Sequence, residues 1–243
     1  MILAHGSFDP IEILNGAIEM SEGRTACHNN PIRCHRDGWG VLLHHPREKK
    51  AWSIYRSTSP LSESEINTQI IEKPCDLMIV HARHATLSKN IGINFSHPLF
   101  RAGTPDWYFF HNGYLPTVYR KLGMQESNFD SREYFDYLVG KDDHSLENIS
   151  VIDRLEAIEA GGTAGNAFAV STNQAYAICW FPRDSKFPDF YTMWSRESET
   201  ATVISSEIVP VSGFNRNWQP MTRGAIVELQ LNKTSKLGEQ RDD

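Results

Sequence analysis

Apolar residues in this chain gather into short runs separated by polar turns, and only a few stretches repeat with helical spacing. Met1 to Ala4 is a short apolar strand candidate, and a helix start follows it. Asp9 suits the N-cap, Pro10 the first helical turn, and Glu12 is placed to reach back in a capping box. Ile11, Leu14 and Ile18 then recur on one face until Gly23 ends the run. Asp37-Gly38-Trp39-Gly40 is a turn opening a strand through Val41–Leu43, which pairs across Pro46–Lys50 with a strand through Trp52, Ile54 and Tyr55. Ser62–Glu72 reads as a helix with Ile66, Ile70 and Ile71 inward. Asp76–Arg83 and Trp107–His111 are almost continuously apolar, as strands covered on both faces are. Asp130 caps a helix that turns Tyr134, Phe135 and Leu138 inward, and Ile149–Ala160 forms another, stopped by Gly161-Gly162. Five strands complete the pattern: Ala167–Val170, Ala175–Trp180, Phe190–Trp194, Thr202–Ser205 and Ala225–Leu231.

Helices that interrupt mainly antiparallel strands make an α+β protein. A four-layer α-β-β-α sandwich would cover the strands in this way, although periodicity alone does not separate it from other α+β layouts. No repeat and no Pro/Gly/Ser-rich linker divides the chain, so residues 1–231 are expected to form one domain and 232–243 a polar tail. With 24 basic against 30 acidic residues and no long basic block, a nucleic-acid surface is not expected. No apolar run is long enough for a membrane span, no secretory signal opens the chain, and four cysteines make no disulfide framework; a cytoplasmic location is expected. Cys27-His28 and Cys34-His35 have a spacing that fits no familiar zinc finger or ribbon, so neither metal nor cofactor is expected.

The segment His81–Asn112 carries the chemistry. It reads I-V-H-A-R-H-A-T, then N-F-S-H-P-L-F, then W-Y-F-F-H-N-G: an apolar strand, a polar mouth and a second apolar strand. Asn112 and Gly113 offer a side-chain and a backbone N–H that can converge on one oxygen, though Asn-Gly by itself is also a common turn. Arg83 has the planar fork that grips a carboxylate, or serves a structural ion pair. Asp130 is first of all a helix cap, with acceptor sites to spare.

Taken in order, D-G-W-G at Asp37–Gly40, H-A-R-H-A-T, N-F-S-H-P, H-N-G and Ser205-Ser206-Glu207 resemble the motifs of the class II glutamine amidotransferases, a branch of the N-terminal nucleophile hydrolases, in their small stand-alone form. The resemblance covers most of the chain and implies the four-layer sandwich of two mainly antiparallel sheets. It implies that Asn112 and Gly113 form the oxyanion hole, that Arg83 and Thr86 hold the α-carboxylate of glutamine, and that Asp130 holds its α-ammonium. His97 is assigned a structural role, and D-G-W-G is expected beside the N-terminal strand.

Two departures stand out. A tryptophan often follows the pocket arginine in synthase-linked members, where this chain has His84. The family attacks its substrate with a cysteine at the first residue of the mature chain, whereas this sequence begins Met-Ile-Leu-Ala. Cys27, Cys34, Cys75 and Cys179 lie elsewhere and carry no free α-amine.

The leading expectation is therefore a glutaminase-type domain whose start omits the nucleophile. It would hydrolyse the side-chain amide of glutamine and pass ammonia to a separate acceptor. An inactive relative that binds an amino acid or a protein partner, and a hydrolase of another γ-glutamyl amide, are the alternatives. Self-association is left open.

Overall fold

A computed structural model of the chain describes residues 1–66, 74–87, 89–141, 143–159, 161–211 and 217–231. Most of the helix expected at Ser62–Glu72, and the tail after Leu231, lie outside the described residues.

Two antiparallel sheets form the centre. The first holds β1 (Ile2–Gly6), β2 (Trp39–His44), β3 (Trp52–Ser57), β4 (Leu77–Ala82), β9 (Trp194–Glu197), β10 (Ala201–Ser205) and β11 (Gln219–Pro220), in the order β11-β9-β10-β1-β4-β2-β3. The second holds β5 (Leu99–Arg101), β6 (Trp107–Asn112), β7 (Asn166–Val170), β8 (Gln174–Cys179) and β12 (Ala225–Gln230), in the order β12-β8-β7-β6-β5.

Strand alternation sorts the side chains into layers. Met1, Leu3, Leu77 and Ile79 pack with Tyr108, Phe110, Phe168 and Ala177 in the layer between the sheets. Ile2, Ala4, Met78 and Val80 face the other way, against Ile13, Leu14, Ala17 and Met20 of helix α1 (Pro10–Ser21). On the far side, Phe109, Ala167 and Ile178 meet Tyr134, Phe135 and Leu138 of α2 (Asp130–Leu138) and Val151 and Leu155 of α3 (Asn148–Glu156). The result is the expected α-β-β-α sandwich. Each fully buried aliphatic or aromatic side chain in these layers stabilises it by roughly 1.5–3 kcal/mol.

Several local expectations are corrected. Asp9 does cap α1, accepting the Ile11 N–H at 2.8 Å, but the buried face of the helix runs through Ile13, Leu14, Ala17 and Met20, one position round from Ile11 and Ile18. Phe190–Trp194 is not a strand: Pro188 opens a single helical turn, α4 (Pro188–Tyr191), and the strand begins at Trp194. The D-G-W-G strand β2 does not neighbour β1, since β4 lies between them; Trp39 pairs with Ala82 and Ile2 with Val80.

Candidate functional site

The ends of β4 and β6 meet beside α2, and a cavity forms there. Its wall includes all five predicted site residues, Arg83, Thr86, Asn112, Gly113 and Asp130, together with His35, His81, His84, His97 and His111. Pleating explains the convergence. Leu77 and Ile79 fill the layer between the sheets, so His81 and Arg83 continue along that face; Tyr108 and Phe110 do the same for Asn112.

Arg83 is 6% exposed, and burial lowers its pKa while the nearby charge of Asp37 opposes the shift. Its guanidinium donates to two backbone carbonyls, of Asp37 at 3.2 Å and of Asn90. Asp37 is otherwise engaged, accepting the Ala85 N–H at 2.8 Å and standing 3.6 Å from His84. Among the described residues no carboxylate lies within ion-pair distance of Arg83. D-G-W-G thus has a role that its sequence did not reveal. Asp37 and Gly38 exchange backbone hydrogen bonds with Arg83 at 2.9 and 2.8 Å, fixing the arginine against the end of β4. Gly40 lies so close to the His97 carbonyl that an added Cβ would sit 1.5 Å from its oxygen.

Asp130 is not the helix cap. Glu133 reaches back instead, accepting the N–H groups of Asn128 at 2.7 Å and Phe129 at 3.0 Å and the Ser127 hydroxyl at 2.8 Å. Relieved of that task, Asp130 accepts the Leu115 N–H at 3.0 Å through Oδ2, while Oδ1 takes no hydrogen bond from the described residues. The Asn112 carboxamide and the Gly113 N–H likewise have no hydrogen-bond partner among the described residues. Gly113 has φ +153°, and a Cβ there would lie 2.0 Å from the Ala164 oxygen, so only glycine fits.

Four buried or nearly buried imidazoles surround these groups, and burial is the main reason that each is held neutral. The pKa of His35 is pushed down to about 3; those of His81 and His97 lie well below the ordinary value, and that of His111 is lowered. His111 donates from Nε2 to the Ala164 carbonyl at 3.1 Å and accepts the Ser131 hydroxyl at Nδ1, 3.0 Å away. His81 donates to the His111 carbonyl at 3.1 Å, leaving Nδ1 without a partner, and neither nitrogen of His97 has one. His97 therefore belongs to the wall of the cavity, beyond the structural role its loop suggested.

Met1 is level with His81 and Ser206. Its nitrogen donates to Ser206 Oγ at 2.8 Å, and its carbonyl accepts the Ser206 N–H at 3.0 Å. Burial lowers the amine to about 5. None of the four cysteines lines this cavity. Burial raises the thiol pKa of Cys75 to about 12 and also raises that of Cys179, leaving both poor nucleophiles.

The family model described as glutamine amidotransferases class-II matches residues 23–153, more than half of the chain. Among solved structures, the allosteric regulatory enzyme of purine biosynthesis is similar at 14% identity and a TM-score of 0.60, covering 84% of this chain and 41% of that one. The glutamine phosphoribosylpyrophosphate amidotransferase from B. subtilis, complexed with ADP and GMP, gives 14% identity and a TM-score of 0.56, with the same coverage. A glutamine aminotransferase class-II domain protein from Silicibacter pomeroyi gives 16% and 0.57, covering 94% of each chain. The chain thus spans about two fifths of the first two structures and nearly all of the third. At these identities the likeness concerns the fold. No curated protein matches. Among the described residues no helix is long and apolar enough to cross a membrane.

Proposed function

The chain belongs to the class II glutamine amidotransferases, and from that premise we propose that its cavity binds the γ-glutamyl end of an amide for cleavage to glutamate and an amine or ammonia. The observation that carries this reading is Arg83: a buried guanidinium, held by two carbonyls and facing a cavity, with no carboxylate within ion-pair distance among the described residues. Such a group is stabilised by an incoming carboxylate. Asp130 Oδ1 then accepts the α-ammonium, and Thr86 closes the carboxylate side. Asn112 and the Gly113 N–H, with no partners of their own, receive the oxyanion of the tetrahedral intermediate.

Cleavage requires a thiol in the layer between the sheets, and we assign that place to the side-chain position of Met1, whose neighbour Leu3 points into the same layer. A cysteine added directly ahead of Met1 would turn to the opposite face, because side chains alternate along a strand. The thiolate attacks the amide carbon, the neutral α-amine carries the proton to the departing nitrogen, and water hydrolyses the thioester. Methionine at this place supplies no thiol.

Isothermal titration of the 243-residue chain with glutamine tests the pocket without needing a nucleophile. Binding that weakens at least tenfold in Arg83→Lys supports the reading, because an ammonium cannot hold two carbonyls and a carboxylate in the same plane. Glutamate release by Met1→Cys, exposed by removal of an initiator methionine, tests the chemistry. Absence of both binding and turnover overturns the proposal.

A further inference from the structure

A second cavity, of about 870 Å³, has Ser206 in its wall, and the Ser206 Oγ accepts a hydrogen bond from the Met1 amine at 2.8 Å. Its wall carries Trp194, Trp218, Val209 and Ile208, with Cys27, His28 and Glu207 among them. The two cavities share a partition. Along one short segment Phe190 and Tyr191 line the first while Asp189 and Thr192 line the second, and the His28 ring packs against Phe190 at 4.6 Å. Met1 lies between the two walls: the pairing of Ile2 with Val80 sets it level with His81 of the first cavity, and its amine donates to Ser206 of the second.

The second cavity is a built site with unmet polar groups. Trp218, 8% exposed, has an indole N–H without a partner, and neither ring nitrogen of His28, also 8% exposed, is hydrogen-bonded. Three such atoms on one wall are costly to bury unless a ligand or water meets them. Glu207 is buried as well. It accepts the Thr25 hydroxyl at 2.6 Å through Oε2, and its closest cation-capable side chain is His28, at 3.8 Å from Oε1. Arg24 on the rim is already spent on Glu19, at 2.6 and 2.8 Å. A carboxylate with no close cation among the described residues, beside two tryptophans, is chemistry that receives an organic amine. The indole N–H adds a demand for a hydrogen-bond acceptor on the far end of that amine.

Resting on the γ-glutamyl reading above, we propose that this cavity holds the leaving group, and that the substrates are γ-glutamyl amides of arylalkylamines bearing a polar ring substituent. Ammonia, the leaving group of glutamine, has no use for a chamber of this size. The amide spans the partition at Met1, with its glutamyl end against Arg83 and its amine against Trp194 and Trp218. The C–S bond forms first, giving the tetrahedral intermediate, and the C–N bond then breaks as the thiol proton passes to the departing nitrogen. Water hydrolyses the thioester to the γ-carboxylate and restores the thiol, and the proton released is taken up by the free amine beside Glu207.

The test uses the Met1→Cys protein with γ-glutamyl-tyramine amide and glutamine, together with calorimetric titration of the unmodified chain with tyramine. The expected result is a kcat/KM at least tenfold higher for the tyramine amide. Ile208→Trp, at a 47% exposed position on the rim, lowers that ratio at least tenfold, and tyramine binding weakens at least tenfold in Glu207→Gln. Turnover of glutamine without turnover of the tyramine amide, and without tyramine binding, overturns this inference and leaves the amidotransferase reading standing. Tyramine binding with neither amide cleaved and no glutamine bound overturns the γ-glutamyl reading and this inference with it.

Discussion

Replacing His97 by glutamine gives a quantitative check on the neutral imidazoles around the pocket. His81 and His97 are buried and His35 is partly buried, and their folded pKa values lie below the ordinary value of about 6.5. Between the folded and unfolded values only the unfolded chain binds the proton, so unfolding becomes easier as pH falls. The contribution is fully present above the unfolded pKa and is lost as pH falls below it toward the folded value. For one imidazole still neutral in the fold at pH 5, the loss between pH 7 and pH 5 is about 2 kcal/mol. The other lowered imidazoles act in the same direction, so the fold is expected to lose stability steadily as pH falls. His97→Gln removes one of them. Its cost in packing is the same at both pH values, so it cancels in the difference. Urea unfolding of both proteins at pH 7 and pH 5 is the assay. The expected outcome is a pH-dependent loss smaller by about 2 kcal/mol in the variant. Equal losses in the two proteins would mean that His97 protonates as easily in the fold as outside it, which refutes the reasoning.

Three further substitutions probe the geometry. Gly113→Ala is expected to destabilise by at least about 2 kcal/mol in urea unfolding, because its Cβ meets the Ala164 oxygen at 2.0 Å in a backbone conformation suited to glycine. Glu133→Ala leaves the N–H groups of Asn128 and Phe129 without their acceptor, and thermal melts should show a loss of about 1–2 kcal/mol. Asp130→Asn keeps an oxygen for the Leu115 N–H, so its melting temperature should change little, while calorimetry should show glutamine affinity at least tenfold weaker.

The layers and the pocket were legible because each depends on local pattern. Alternation along Leu77–Ala82 and Trp107–Asn112 sets which face Arg83 and Asn112 share, and the run of motifs names the ends of the strands. What escaped depends on contacts distant in sequence. Nothing in Asp37-Gly38-Trp39-Gly40 says that β2 pairs with β4 and so clamps Arg83; that follows from strand order. His97 reads as a loop residue until its ring is seen 4.4 Å from that of His81. Asp130 has the look of a cap, and only the reach of Glu133 across four residues shows that the cap is already supplied. Phe190–Trp194 is apolar enough for a strand, but Pro188 imposes a helical turn that delivers Phe190 and Tyr191 to one cavity and Thr192 to the other.

The charges in the first cavity also explain why so many histidines surround it. Arg83 and Asp130 are buried, opposite in sign, and engaged only by backbone groups among the described hydrogen bonds. A ligand carrying one charge would leave the other uncompensated in a low-dielectric wall, whereas the zwitterionic end of a γ-glutamyl compound meets both. Charged side chains packed between the two would screen that recognition. Imidazoles held neutral by burial fill the space with polar groups that carry no net charge, and His81 and His97 retain ring nitrogens free to bond the ligand or the water it brings. On the proposed γ-glutamyl reading, selectivity for the α-amino-acid end comes from what the histidines withhold as much as from what Arg83 and Asp130 supply. The same reading predicts that protonating those rings in acid weakens the fold and glutamine binding together, which calorimetric titration at pH 7 and pH 5 checks.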